Sequence, residues 1–114
     1  MNISEREKNT FHVIDIKGKI NRLKDSVNLK SVFNELLGKG IRNIALNLKN
    51  VTYLDSGALN VIIYTYNSLA KEKGTLVLIA PNEYVRDVLD VVGLNKILTI
   101  YSTEEDFEHD KENG

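Results

Sequence analysis

Residues 48–59 read LKNVTYLDSGAL, and this stretch decides the fold because a strand gives way there to a helix. Before it, Ile44–Leu48 is a short, largely apolar run that is typical of a buried strand. From Leu59 onward, apolar residues recur at helical spacing. Asp55 and Ser56 are therefore predicted at the start of that helix, beside its unsatisfied N–H groups and the positive end of its dipole. A serine hydroxyl there is exposed and well placed to carry a phosphate, so Ser56 is the candidate regulatory site.

The same two residues also have a purely structural interpretation. Asp and Ser are preferred helix N-caps, because their side-chain oxygens accept a bond from a backbone N–H two or three residues on. Capping serines are common, so spacing alone favours a cap and leaves the regulatory hypothesis open.

Patterning along the rest of the chain predicts strands that alternate with helices, and hence a mainly parallel sheet. The first two strands are too close in sequence for a crossover and should pair antiparallel, which makes the sheet mixed. We expect an α/β fold with about five strands and three to four helices. The predicted elements, in order, are an edge strand Asn2–Lys8, a strand Phe11–Ile16 closed by Gly18, a helix carrying Leu29 and Phe33 that Gly38 and Gly40 end, the strand Ile44–Leu48, the helix after Ser56, a strand Leu76–Ile79, a helix that begins after Asn82 and is closed by Gly93, and a strand Ile97–Tyr101.

Length and composition predict one domain over residues 1–114, since 114 residues with 42% hydrophobic content suffice for a single core. The chain has no run long enough to span a membrane, no signal-peptide pattern and no cysteine, and we expect a cytoplasmic protein. The net charge of −1 is unevenly spread, with −5 from Thr103 onward and +4 in the body. We interpret this acidic tail as a solvated or frayed terminus in which a short helix can begin. The small, scattered body charge argues against nucleic-acid binding.

The sequence contains no residue arrangement that predicts catalysis. The two histidines, His12 in a predicted strand and His109 in the acidic tail, have no neighbours arranged for nucleophilic chemistry. Metal-ligand spacing and a phosphate-cradling loop are also missing, so neither a metal nor a cofactor is predicted. A phosphoaspartate receiver domain is disfavoured, because the early strands are not followed by paired acids.

Val51–Val61, with the sequence VTYLDSGALNV, resembles the signature of STAS-domain proteins, the family of bacterial anti-sigma factor antagonists. The resemblance extends over nearly the whole chain, through Gly18-Lys19-Ile20, Lys73-Gly74 and the segment Val91–Ile97. It implies the STAS fold. It further implies that Ser56 matches a serine that an anti-sigma factor serine kinase phosphorylates and a PP2C-type phosphatase dephosphorylates. The unphosphorylated form would bind the kinase and so free a sigma factor.

Several positions depart from the family pattern. Gly57, Ala58 and Asn60 replace the usual Ser or Thr and two Gly residues, while Lys19 and Asn21 stand where the family carries acids. The phosphoacceptor is kept, whereas these departures leave the identity of the kinase open.

A partner-binding face can be predicted beside Ser56. With the apolar stripe of the second helix turned inward, its polar residues project outward. Tyr64 is the expected anchor, because an exposed tyrosine offers a large contact area at low entropic cost. The predicted partner-binding residues are Asp55, Gly57, Asn60, Tyr64, Asn67 and Asn21. The alternative is a STAS-like scaffold or transporter-associated subunit that binds its partner constitutively; such a protein would tolerate Ser56→Ala.

Overall fold

A computed structural model describes residues 1–113 of the chain. Strands and helices alternate along it, as the patterning predicts. The elements are β1 (Asn2–Lys8), β2 (Phe11–Ile20), α1 (Leu23–Gly38), β3 (Asn43–Leu54), α2 (Ser56–Lys71), β4 (Thr75–Ile79), α3 (Glu83–Val91), a 3-10 turn (Leu94–Lys96), β5 (Thr99–Tyr101) and α4 (Glu104–Asn113).

Within these residues the strands form one five-stranded sheet in the order β1-β2-β3-β4-β5. β1 pairs antiparallel with β2, and the remaining neighbours pair parallel. The expected mixed, mainly parallel α/β fold is therefore confirmed.

The two faces of the sheet are covered differently. Each parallel crossover advances the sheet in the same direction, and crossovers are right-handed, so α1, α2 and α3 cover the same face. Their buried side chains, such as Phe33, Ile62 and Leu89, pack with those of β2, β3 and β4 in the main core. On the other face a smaller cluster of Phe11, Val13, Ala45, Val77 and Ile79 is covered by Phe107 of α4.

β2 and β3 are both longer than their apolar runs predict. β2 continues through Gly18, which has a φ of +104° between two register shifts. It ends at Ile20, which pairs with Leu54 of β3. The prediction that Gly18 closes the strand is therefore wrong. β3 leads directly into α2 without a loop, because buried Val51 and Leu54 hold its second half on the sheet.

The last strand is shorter than predicted. It begins at Thr99, and Ile97 lies 51% exposed after the 3-10 turn instead of pairing in the sheet.

Through residue 113 the acidic tail is a helix, so the expectation of a frayed terminus is wrong, whereas the predicted helix is present. Three of its acids are exposed to solvent: Glu105, Asp106 and Asp110. Phe107 of α4 is fully buried and makes edge-to-face contacts with Phe11 and Tyr101. Glu104 accepts hydrogen bonds from the guanidinium of Arg6 at 2.7 and 2.8 Å. α4 is therefore fixed to the sheet by one aromatic anchor and by ion pairs with β1.

Candidate functional site

The candidate site lies where β3 ends and α2 begins. The backbone N–H of Asp55 donates to the carbonyl oxygen of Ile20 at 3.0 Å, which ties this junction to the end of β2. Asn21 follows Ile20 directly and is exposed. A shallow depression here is lined by Lys19, Asn21, Thr52, Tyr53 and Asp55. The structure thus brings the predicted Asn21 and Asp55 together.

Asp55 is the N-cap of α2, and its carboxylate oxygen Oδ1 accepts from the backbone N–H of Ala58 at 2.9 Å. Ser56 is the first residue of the helix, and its side chain is exposed. The capping role therefore belongs to Asp55, and it does not account for Ser56. The hydroxyl of Ser56 lies at the positive end of the helix dipole, where an anion is stabilised.

Gly57 marks a close approach between the first turns of α1 and α2. A Cβ atom added to Gly57 would lie 3.2 Å from both the hydroxyl oxygen of Ser26 and the Oδ1 atom of Asp55. Ser26 is buried, and its hydroxyl donates to the carbonyl of Leu23 at 3.1 Å. Sequence reasoning missed Ser26. The available signal was Gly57, because a glycine in place of the family's Ser or Thr indicates that another residue packs closely against it. Gly57 is half-buried, and the absence of a side chain there allows α1 to lie close to the start of α2.

The predicted outward residues of α2 are exposed. Asn60, Tyr64 and Asn67 lie on the side of the helix that begins at Ser56. Tyr64 is 36% exposed, and its hydroxyl donates to Oδ1 of Asn34 in α1 at 2.6 Å. The ammonium group of Lys30 lies 4.4 Å from the centre of the Tyr64 ring. These contacts hold Tyr64 in a fixed position between the two helices.

α1 adds exposed apolar residues that sequence reasoning did not single out. Leu23 is 81% exposed and Val27 is 58% exposed, one turn apart. Both lie off the stripe of Leu29, Phe33 and Leu36 that packs on the sheet, and this mismatch in spacing was a signal that could have found them. We call the combined surface the two-helix face; it consists of Leu23, Val27, Lys30 and Asn34 of α1 with Ser56, Asn60, Tyr64 and Asn67 of α2.

Arg22 and Asp25 form an ion pair at the edge of the two-helix face. Arg22 precedes α1, and its guanidinium lies 3.4 Å from the carboxylate of Asp25. Burial acts to raise the pKa of Asp25, but hydrogen bonds from Arg22 and the nearby positive charges hold it below its ordinary value. Asp25 is therefore a buried carboxylate paired inside the protein, and Arg22 remains half exposed.

Residues 1–113 contain no cluster of three or more side chains that could hold a metal ion. In the same range, no helix combines the length and the apolar character needed to cross a bilayer.

Comparison with known proteins identifies the family. The STAS domain profile matches residues 2–107. A protein of Thermotoga maritima that is assigned as an anti-sigma factor antagonist is 40% identical over 74 residues, which cover 65% of this chain and 66% of that protein. The aligned part thus spans just under two thirds of that relative. An anti-sigma F factor antagonist of Paenibacillus polymyxa is 37% identical over 62 residues, covering 54% of this chain and 53% of that protein.

Solved structures agree with this assignment. The crystal structure of an assigned anti-sigma factor antagonist from Thermotoga maritima superposes with a TM-score of 0.89 at 28% identity, covering 96% of this chain and 94% of that one. The unphosphorylated anti-sigma factor antagonist SpoIIAA superposes with a TM-score of 0.78 at 16% identity, with 99% of each chain covered, and this likeness bears on the fold alone. From its sequence profile and its fold, the chain belongs to the STAS domain family.

Proposed function

We propose that this protein is a cytoplasmic anti-sigma factor antagonist that binds an anti-sigma factor serine kinase while Ser56 is unphosphorylated. The observation that carries the proposal is the position of Ser56. It is exposed at the first residue of α2, and the preceding Asp55 already caps the helix. The relatives from Thermotoga and Paenibacillus are named as anti-sigma factor antagonists, which supports the antagonist part of the proposal.

Phosphorylation would act through charge. A phosphoserine carries about −1.5 to −2 charges at neutral pH, and here it would stand next to the carboxylate of Asp55. The N-terminus of α2 can hold this anion, so the domain need not unfold. A partner surface shaped around a neutral hydroxyl would instead be repelled by the added negative charge. Binding would also require the phosphate to lose its water shell. A loss of about 3–4 kcal/mol would weaken binding several-hundred-fold.

The role we propose is non-catalytic. The kinase would supply the phosphoryl group and a PP2C-type phosphatase would remove it, so the chain itself needs only a hydroxyl and a docking surface. The two-helix face provides that surface, with Asn60, Tyr64 and Asn67 beside Ser56 and with Asn21 at its edge.

The test begins with the protein isolated from its native cells under growth and stress conditions. Intact-mass analysis and site mapping should find a condition-dependent phosphate on Ser56. In vitro, an anti-sigma factor kinase from the same genome should modify the wild type and not Ser56→Ala. The matched control is Ser102→Ala, because Ser102 is also exposed just before a helix and should be irrelevant to modification.

The alternative function gives the opposite result. If no phosphate is found under any condition, and a stable partner binds wild type and Ser56→Ala equally, the protein is a constitutive STAS-like scaffold or transporter-associated subunit.

A further inference from the structure

We propose that the two-helix face is specific for a protein partner with an acidic surface, into which Leu23 and Val27 insert as an apolar anchor. This inference rests on the proposed function in two respects, namely that the face beside Ser56 is the one that docks and that phosphorylation of Ser56 releases the partner. It adds the chemistry of the partner, which the family assignment does not provide.

Charge around the face is the first argument. Lys19, Lys24 and Lys30 are all exposed, and α2 contains no acidic residue. Residues 19–39 and 55–67 contain five basic and three acidic side chains. Of the three acids, Asp25 pairs with Arg22, Glu35 lies 3.4 Å from Lys39 in an exposed pair, and Asp55 caps α2. The charge that this region presents to a partner is therefore positive.

Acidic residues lie instead on other helices. α3 carries Glu83, Asp87 and Asp90, and α4 carries five acids between Glu104 and Asp110. With a net charge of only −1, the molecule thus has separate basic and acidic regions. Such a separation orients an approaching charged partner and favours one docking surface over others.

The apolar pair supplies the second argument. Leu23 and Val27 are one helical turn apart, and Ser26 between them packs against Gly57, next to Ser56. Lys30 and Asn34 continue the same stripe of α1, and both contact Tyr64 of α2. The apolar pair is therefore continuous with the surface that contains the phosphoacceptor. Apolar residues bordered by polar and charged ones are the usual composition of a protein interface.

The direction of the switch supplies the third argument. A phosphate on Ser56 would repel an acidic partner surface, and it would also neutralise part of the local positive charge. The same phosphate would attract a basic partner surface. Release on phosphorylation thus follows directly from an acidic partner.

The test uses two synthetic amphipathic helices with the same leucine stripe, one carrying glutamates and the other lysines, titrated into isotopically labelled protein and followed by NMR. The glutamate peptide should shift signals of residues 19–34 and 56–67, and the lysine peptide should not. At low salt, the double variant Lys19→Glu/Lys24→Glu should weaken binding by about tenfold. Lys19 and Lys24 lie at the edge of the face, near the end of β2 and at the start of α1. The matched control Lys49→Glu/Lys96→Glu, which changes two exposed lysines in β3 and in the 3-10 turn, should stay within about twofold of the wild type.

Three results would overturn the inference. One is equal binding of both peptides, and another is no signal change in the two-helix face. The third is tighter binding to phosphatidylglycerol vesicles than to the glutamate peptide, which would make the face a membrane contact. The peptides do not depend on Ser56 phosphorylation, so failure of the proposed function is distinguishable: Ser56 would then carry no phosphate in cells while the glutamate peptide still binds.

Discussion

Two substitutions at Asp55 separate its role as a helix cap from its proposed role in partner recognition. The carboxylate of Asp55 accepts from the N–H of Ala58 at 2.9 Å, and α2 contributes Val61, Ile62 and Leu69 to the core. In Asp55→Ala the N–H of Ala58 loses its acceptor, which costs about 1–2 kcal/mol of unfolding free energy. For a domain of this size, about 1 kcal/mol corresponds to a shift of about 4 °C in the melting temperature. We therefore expect a drop of about 4–8 °C.

Asp55→Asn keeps an oxygen acceptor at the same position and removes the charge. Asn and Asp are equivalent as N-caps, so its stability should lie within about 0.5 kcal/mol of the wild type. Urea titration and calorimetry of both variants measure these differences directly. If Asp55→Asn retains stability but changes affinity for the kinase, the charge acts in recognition. Equal destabilisation by both variants would refute the capping argument, and so would a cost below about 0.3 kcal/mol for Asp55→Ala.

Two further predictions concern the attachment of α4. Phe107→Ala should lower the free energy of unfolding by about 3–5 kcal/mol, because it opens a cavity between Phe11 and Tyr101. Urea denaturation measures this change, and a loss below about 1.5 kcal/mol would show that α4 adds little to stability. Hydrogen bonds from Arg6 lower the pKa of both Asp15 and Glu104. The stabilisation from these ion pairs is therefore complete above the unfolded-state pKa values of about 4. It is lost as the pH falls through the lower folded-state pKa values. Arg6→Met should therefore reduce the free energy of unfolding at pH 7 by about 1 kcal/mol, and its difference from the wild type should shrink as the pH falls below about 4. A difference that stays constant in acid would contradict the assignment.

The sequence was most informative where periodicity and burial coincide. The core stripe of α2 and the strand–helix junction at Asp55 follow directly from apolar spacing, which is why the position of Ser56 could be predicted. The second half of β3 escaped prediction for a physical reason. β4 pairs only with residues 43–47, so beyond Asn47 the strand has β2 as its one sheet neighbour among the described residues. Lys49, Asn50, Thr52 and Tyr53 are accordingly exposed, and their polarity hides the strand.

The packing of α4 could not be predicted from local pattern. Phe107 is a single phenylalanine in an acidic segment, and its burial depends on an apolar sheet face assembled from β2, β3 and β4. Arg6 and Glu104 are 98 residues apart, so their contact is a consequence of the fold and leaves no mark on either segment alone. Charge counts placed five excess negative charges in the tail, but they gave no information on their partners.

The close contact between Gly57 and Ser26 connects the departures from the family pattern with the proposed switch. A larger residue at position 57 would press on Ser26 and on the capping carboxylate of Asp55, since its Cβ would lie 3.2 Å from an oxygen of each. Glycine here lets the first turn of α1, which carries the exposed Leu23 and Val27, sit close to the start of α2. The phosphate itself would project outward from an exposed position, away from this contact. Recognition and its control can therefore share one surface while the internal packing of both helices stays unchanged.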